Sequence, residues 1–437
     1  MKTNLQTYNS YKPSGVEWLG EIPEHWEVTK VKNVFKLIVE PAPKNNDLEL
    51  LSVYTEIGVK PRKELEERGN KASTTDGYWL VKKGDIVVNK LLAWMGAIGV
   101  SNYDGVTSPA YDILRAKVDI DSNFYHYLFR NSVCVSELKK HSRGIMDMRL
   151  RLYFDKFGDV VIPFPNVVEQ QNIVVFLNDK TEKIELAIDV KKKQIELLQE
   201  RQQILIHKAI TQGLNDNLKF KDSGVEWIGD IPEHWAVKRL KYVLNGKLKY
   251  GANESGVEYD FNLPRYVRIT DFGQDGKLNE DKKLSLTWNQ GSDYLLKDGD
   301  ILFARSGATV GKTYQFKKSM SIEKDYSFAG YLIKAEVNKE IILSDFLYLF
   351  TNSELFNSWK DGIFIKATIE NIGADKYAQL PVILPPINEQ KIILEKYNSD
   401  SSKIVTAISL KEKEIEKLKE YKASLINSVV TGKVKVF

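Results

Sequence analysis

The segment of this chain that comes nearest to a catalytic motif is Ser306–Thr313, with the sequence SGATVGKT. In a phosphate-binding loop, glycines let backbone N–H groups surround a phosphate and a lysine reaches the terminal one. That motif needs a glycine where Ser306 stands, because four residues must separate it from Gly311, and Gly307 leaves only three. Residues 314–319 also lack the amphipathic pattern of the helix whose N-terminus would bind the phosphate. A P-loop ATPase is therefore a disfavoured alternative. A plain glycine turn between strands is the simplest interpretation, and a turn that presents Arg305, Thr309 and Lys312 to an anion is an intermediate one.

Other enzyme motifs are incomplete as well. Leu384–Ile387 shares only its two prolines with the Asn/Asp-Pro-Pro-aromatic motif of amino-methyltransferases, and lacks the polar and aromatic side chains that would hold a target base. The five histidines do not have the spacing of metal ligands, so structural roles are expected for them. Cys134 is the only cysteine, and we expect a buried thiol there. The chain is therefore not expected to be the methyltransferase itself.

Basic and aromatic residues are interleaved in stretches that could bind nucleic acid. Arg and Asn side chains can form paired hydrogen bonds with base edges, whereas Lys and Ser contact phosphates. Any one such residue is more often a solvated surface charge, and the net charge of +4 permits an anionic partner without requiring one. The predicted DNA-binding residues are Lys90, Trp94, Arg143, Arg149, Arg305, Thr309, Lys312 and Lys366.

These residues lie within two copies of one repeated sequence pattern, which we call the frame. Residues 14–26, SGVEWLGEIPEHW, return as residues 223–235, SGVEWIGDIPEHW. The Gly-Asp-Ile motif at 84–86 returns at 299–301, and the Glu-Gln pair at 169–170 returns at 389–390. A period of about half the chain indicates two copies of a whole domain. The predicted strands are 85–88, 113–116, 300–304 and 331–334, and the predicted short helices are 124–129 and 345–350.

A long charged helix is predicted at the end of each copy. Along each helix, one set of residues recurs at alternating spacings of four and three, which is a heptad pattern. Such residues face the partner helix in a coiled coil, and we call them seam residues. The apolar seam residues are Ile184, Ile188, Ile195, Leu198 and Leu205 in the first helix and Ile404, Ile408, Ile415, Leu418 and Leu425 in the second. Polar residues share two seam positions, Lys191 with Lys411 and Gln202 with Lys422. A simple dimerisation tail is one interpretation, but the shared register favours an intramolecular antiparallel coiled coil.

The predicted fold is mixed α/β with a pseudo-twofold internal repeat. It has a globular domain over 1–165, a helix over 166–213, a second globular domain over 214–385 and a second helix over 386–437. No apolar stretch approaches eighteen residues and the N-terminus lacks an apolar signal-peptide core, so a cytoplasmic protein is expected.

Three parts of the repeated frame resemble one known family. They are the Ile-Pro-Glu-His-Trp openings, the GDILFARSG stretch at Gly299–Gly307 and the PPINEQ step at Pro385–Gln390. The chain resembles the specificity subunit of type I restriction–modification systems over essentially its whole length. The first half departs slightly, with PNVVEQ at 165–170 and NKLL at 89–92.

The resemblance implies that each globular domain is a target recognition domain for half of a bipartite, non-palindromic DNA site. It also implies that the helices are conserved spacers that dock two adenine-methylating modification subunits. S-adenosylmethionine would bind to those subunits, and ATP and Mg would be used by restriction subunits, so this chain itself would be non-catalytic and would bind no cofactor. A stand-alone sequence-specific DNA-binding protein remains an alternative, and it would bind its site tightly without partners.

Overall fold

The computed structural model describes residues 6–64, 75–144, 150–213, 218–273, 276–307, 309–364 and 371–436. It divides into two compact units, Met1–Lys192 with Glu412–Phe437, and Lys193–Lys411. Each unit holds one copy of the repeated frame and part of both long helices. Among the described residues, no helix combines the length and the apolar character that crossing a bilayer requires.

The first unit contains short strands, short helices and the beginning of a long helix. Its strands are β1 (Tyr11–Pro13), β2 (Glu21–Pro23), β3 (Glu27–Lys30), β4 (Phe35–Ile38), β5 (Leu51–Tyr54), β6 (Gly58–Pro61), β7 (Trp79–Val81), β8 (Ile86–Asn89), β9 (Ile98–Val100), β10 (Gly105–Thr107), β11 (Tyr111–Ala116) and β12 (Val161–Phe164). Its helices are α1 (Val31–Val34), α2 (Ser122–Arg130), α3 (Ser132–His141), α4 (Phe154–Phe157) and the start of α5 (Val167–Thr211).

The second unit repeats this order of elements with different details. Its strands are β13 (Phe220–Asp222), β14 (Asp230–Pro232), β15 (Ala236–Arg239), β16 (Lys249–Tyr250), β17 (Val257–Glu258), β18 (Arg265–Val267), β19 (Leu284–Ser285), β20 (Ile301–Ala304), β21 (Thr313–Gln315), β22 (Tyr326–Phe328), β23 (Leu332–Ala335) and β24 (Pro381–Leu384). Its helices are α6 (Trp288–Gly291), α7 (Ser344–Thr351), α8 (Glu354–Phe364), α9 (Ala374–Tyr377) and the start of α10 (Ile387–Val430).

One four-stranded antiparallel sheet recurs in both units. Its order is β4-β11-β8-β9 in the first unit and β16-β23-β20-β21 in the second. The central strands β8 and β20 are buried at every residue, as expected for continuous apolar runs. The predicted strands and short helices are confirmed, with ends displaced by one or two residues. The sheets that flank this shared one differ: the first unit has the pairs β5–β6 and β7–β10, and the second has a sheet of order β17-β19-β18-β22.

The two long helices run antiparallel where they pair in the first unit. Lys191 Nζ lies 2.6 Å from Glu414 Oε2, and Lys422 pairs with Glu185, so positions rise along one helix as they fall along the other. The seam residues named above are buried or half-buried, whereas most residues between them are exposed. In the second unit, the seam residue Gln202 donates to Ser401 Oγ at 3.2 Å. Polar seam residues thus contact the facing helix, which restricts its register.

The repeated tryptophans pack against the ends of these helices. In the first unit, Trp26 is fully buried, and a Cβ placed on Gly432 would lie 3.0 Å from its ring. In the second unit, Gly213 stands in the same relation to Trp235, also at 3.0 Å. Both glycines have positive φ values, 74° and 71°, which end a helix without a steric penalty. Glycine is therefore required here both by the turn and by the indole beside it.

The repeated Glu-Gln pairs anchor the beginnings of the same helices. His25 Nε2 lies 2.9 Å from Glu169 Oε2, and His234 Nε2 lies 2.7 Å from Glu389 Oε1. The neighbouring glutamines accept a backbone N–H from the residue before an earlier short helix: Gln170 from Asp121 before α2, at 2.9 Å, and Gln390 from Leu343 before α7, at 2.8 Å. The residues that the two copies share thus form contacts that hold the fold together. Both histidines have the structural role expected for them.

The Gly-Asp-Ile aspartates form internal ion pairs at the edge of the shared sheet. Asp85 receives two hydrogen bonds from Arg115, at 2.9 and 2.8 Å. Asp300 lies 3.2 Å from Lys334 Nζ on the equivalent strand. Each aspartate also accepts a backbone N–H from three residues earlier, which closes the turn into the central strand. These carboxylates are therefore part of the fold and are already neutralised by their partners.

Candidate nucleic-acid interface

Lys90 and Arg305 occupy equivalent places, directly after the central strands β8 and β20. The carbonyl of Lys90 accepts the N–H of Leu152 at 2.9 Å, and the carbonyl of Arg305 accepts the N–H of Ile372 at 2.9 Å. In both units this bond joins the end of the central strand to the segment that precedes a short helix. The same backbone geometry thus presents a lysine in one unit and an arginine in the other.

The charge of Lys90 is largely balanced within the first unit. Its Nζ lies 3.3 Å from Asp112 Oδ1 and donates to the carbonyl of Pro109 at 2.9 Å. Burial raises the pKa of Asp112, and the neighbouring ammonium of Lys90 opposes that shift. The ammonium of this predicted DNA contact is therefore already held by two oxygens.

Trp94 and Arg143 lie in the same region of the first unit. The Trp94 indole N–H donates to the carbonyl of Leu91 at 2.9 Å, and Lys139 Nζ lies 5.4 Å from the centre of the ring. Arg143 pairs with Arg151 through two backbone hydrogen bonds of 2.9 Å. Leu152, the residue after Arg151, donates to the carbonyl of Lys90, so the Arg143–Arg151 bridge lies beside Lys90. Three of the predicted residues, Lys90, Trp94 and Arg143, thus belong to one basic cluster.

Arg305 has a different environment in the second unit. Its guanidinium carbon lies 5.1 Å from the centre of the Tyr250 ring, and its Nε is buried without a hydrogen-bond partner among the described residues. The Tyr250 hydroxyl accepts the N–H of Ala374 at 3.0 Å, which fixes the ring. The neighbouring residue Tyr331 is 65% exposed. The half-buried guanidinium is held against a ring in a defined orientation, which suits bidentate recognition of a base edge or phosphate.

The glycine-rich segment after Arg305 is a hairpin connection. Thr309 is exposed in its turn, and Lys312 Nζ donates to the carbonyl of Phe272 at 2.8 Å. The next residues, Thr313–Gln315, form strand β21, which pairs with β20. A phosphate-binding loop requires a helix at this point. The P-loop alternative is therefore excluded for this segment, and Lys312 is held by the protein's own backbone.

Two predicted residues, Arg149 and Lys366, lie outside the described residues. The structure adds residues that were not predicted: Lys139, Arg151 and Tyr153 beside Trp94 and Arg143, and Tyr250 and Tyr331 beside Arg305. The available signal was the alternation of basic and aromatic residues. It could not separate exposed members from those such as Arg265, which is 2% exposed and paired with Glu280 and Glu323.

Comparison with known proteins identifies the family. The family model described as type I restriction modification DNA specificity domain matches residues 23–197 and 232–420. The MjaVIII specificity subunit of Methanocaldococcus jannaschii is 25% identical over 95% of this chain and 94% of its own length. The putative MjaX specificity subunit of the same organism is 24% identical over 96% of both chains.

Solved structures show the same fold. A chain from a study of complex assembly and conformational transition of the type I R-M system superposes with a TM-score of 0.71 at 14% identity, covering 94% of this chain and 98% of that one. The HsdS subunit of Thermoanaerobacter tengcongensis gives a TM-score of 0.50 at 14% identity, covering 98% and 100%. With its two matched regions, duplicated sheets and paired helices, this chain belongs to the type I restriction–modification specificity family and is a DNA sequence-specificity subunit.

Proposed function

We propose that each unit recognises one half of a bipartite, non-palindromic DNA site. One observation carries this proposal: the units share their scaffold contacts but differ in the side chains that follow the central strand. The first unit exposes Leu91, Leu92 and Met95 beside a neutralised Lys90, whereas the second holds the half-buried Arg305 against Tyr250. Two surfaces with such different chemistry would select different base sequences.

The paired helices α5 and α10 set the spacing between the half-sites and dock two modification subunits. Support comes from their polar seam contacts, which restrict sliding of one helix along the other. Further support comes from the solved chain with a TM-score of 0.71, which belongs to a study of type I complex assembly. This chain carries no catalytic step. Adenine methylation with S-adenosylmethionine belongs to the modification subunits, and ATP- and Mg-dependent work belongs to restriction subunits where these are present.

The spacing role is tested by lengthening both helices. Seven residues that keep the heptad pattern are inserted between Lys192 and Lys193 and between Lys411 and Glu412, which are facing positions in the antiparallel pair. An added helix length of about 10 Å corresponds to about three base pairs of DNA. Genome-wide methylation mapping should show the same half-sites with a longer spacer.

The control inserts the same seven residues into α5 alone, which breaks the seam and should abolish methylation. Altered half-sites with an unchanged spacer would contradict the spacing role. Binding of DNA by the full chain, with and without the modification subunits, distinguishes this proposal from a stand-alone DNA-binding protein. Tight specific binding without those subunits would favour the stand-alone function.

A further inference from the structure

The loop that follows β8 in the first unit, residues 90–97, is closed by its own hydrogen bonds. Asn89 accepts the N–H of Leu92 at its carbonyl and that of Leu91 at its side chain, at 3.0 and 3.1 Å. Leu92 in turn accepts the N–H groups of Met95 and Ala97, at 2.9 and 3.1 Å. The Trp94 indole N–H bonds to the carbonyl of Leu91. The loop therefore has one defined conformation.

This ordered loop presents large apolar side chains to solvent. Leu91, Leu92 and Met95 are 43%, 40% and 51% exposed. A single exposed leucine is ordinary, but three large apolar residues within five positions of a structured turn mark a contact surface. We call residues 91–95 the apolar loop.

Positive charge lies around the apolar loop. Lys139 lies over the Trp94 ring, and Leu152 joins the loop to the Arg143–Arg151 bridge. Arg143 lies 3.6 Å from Asp155, and both side chains are about 60% exposed, so solvent screens that pair and the guanidinium stays accessible. An apolar projection within a cationic surface complements duplex DNA, whose backbone is anionic and whose base steps are apolar.

The second unit has no such projection at the described residues of the equivalent connection. That connection contains Gly307, Thr309, Val310 and Gly311, of which Thr309 and Gly307 are exposed. The strands before and after this connection, β8 and β9 in the first unit and β20 and β21 in the second, occupy equivalent places in the shared sheet. The two connections therefore differ in the chemistry of their side chains and not in their place in the fold.

We propose that the apolar loop is a wedge that inserts Leu91 and Met95 at a base step of the half-site bound by the first unit. Insertion unstacks that step and bends the duplex, while the flanking cations hold the backbone. The sequence preference at that step then reflects how easily it deforms, and pyrimidine–purine steps deform most easily. The half-site bound by the second unit is not unstacked in this way. This inference rests on the proposed DNA-recognition function.

The test uses the full chain assembled with its modification subunits and duplexes carrying 2-aminopurine at successive positions of each half-site, the methylated adenine excluded. The fluorescence of 2-aminopurine rises when its stacking is lost. We expect a several-fold rise at one step of one half-site, which disappears in the Leu91→Ser/Met95→Ser variant. Both side chains are exposed, so the variant should retain its fold.

The matched control is Val118→Ser. Val118 is 44% exposed, and β11 pairs its first residue, Tyr111, with Asn89, so residue 118 lies beyond the opposite end of that strand. This variant should keep the fluorescence rise. If the wild-type complex binds its site without any such rise, or if the loop variant keeps it, the wedge is wrong. If the loop variant loses the modification subunits and not the distortion, the loop contacts protein. Failure of the wild-type chain to bind any specific site would instead overturn the DNA-recognition function.

Discussion

The two units hold their frames with matching contacts and differ where their central strands end. Glu169 and Glu389 both bind a histidine, and Asp85 and Asp300 both bind a cation on the neighbouring strand. After those strands, however, the first unit exposes apolar side chains, whereas the second holds a half-buried arginine against a ring. The contacts that hold each frame thus lie apart from the residues that follow the central strand, so those residues can differ between the units without loss of the fold.

The largest predicted effect concerns the buried aspartates. Asp300→Ala should lower the stability of the second unit by about 3–5 kcal/mol, because Lys334 is 8% exposed and keeps only a neutral acceptor, the carbonyl of Leu295 at 3.0 Å. Asp85→Ala should cost less, since Arg115 is 23% exposed and keeps Glu40 at 3.3 Å. Urea unfolding of each variant measures this. The Asp85→Ala/Arg115→Ala double variant should be less destabilised than the sum of its single changes, and strict additivity would show that the pair does not stabilise the fold.

The next largest predicted effect is that the stability of the two units should respond differently to pH. Burial, together with the charge of Arg130, lowers the pKa of His126 to about 3. The unfolded chain takes up this proton near pH 6.5 and the folded unit does not, so the first unit loses stability as the pH falls, by about 2 kcal/mol at pH 5. By the spacing of the repeat, Leu347 stands at the equivalent position in the second unit.

The second unit should weaken only at lower pH. Burial alone would raise the pKa of Glu323, but hydrogen bonds from Tyr326 and Lys283 and the charge of Arg265 lower it to about 2. Its stabilising contribution is therefore present above about pH 4.5 and is lost as the pH falls toward 2. Hydrogen exchange of each unit between pH 7 and pH 5 tests the contrast. In the His126→Gln control, the stability of the first unit should no longer fall between pH 7 and pH 5. Equal weakening of both wild-type units over this range would contradict the predicted contrast.

Base recognition should differ between the equivalent residues Lys90 and Arg305. Arg305→Ala should cost about 1–3 kcal/mol and relax specificity at one base pair, because a paired donor is lost. Lys90→Ala should change binding little, since Asp112 already neutralises that ammonium. Methylation rates on a set of sites with single-base changes measure both effects. Arg305→Lys is the control, since it keeps the charge but not the paired donors, and a uniform loss on all sequences would make Arg305 a phosphate contact.

The smallest predicted difference separates the repeated tryptophans. The Trp235 indole N–H donates to Glu389 at 2.7 Å, whereas the Trp26 indole N–H has no partner among the described residues. Replacing each with Phe removes similar volume, but only Trp235→Phe removes a hydrogen bond to a carboxylate. We expect Trp235→Phe to cost about 1 kcal/mol more than Trp26→Phe in urea unfolding. An equal or greater cost at Trp26 would show that the hydrogen bond adds nothing.

Much of the scaffold could be predicted because its signals are local. Heptad spacing predicted the covered faces of α5 and α10. Apolar runs bounded by turn residues predicted the central strands of both sheets. The duplicated motifs indicated two units, since each copy retains the residues that its helix ends need.

The recognition surface was predicted only in outline. Lys90, Trp94 and Arg143 do come together, but the sequence did not show that Asp112 would neutralise Lys90, or that Phe272 would accept from Lys312. These partners lie far apart along the chain and meet through strand pairing and packing. The amino-acid sequence by itself thus determined the family, the duplicated units and the helix seam, because periodicity and turn chemistry act over a few residues. Only the tertiary structure decided which side chains remain available to DNA, because pairing across a sheet depends on register, which brings distant residues within hydrogen-bonding range.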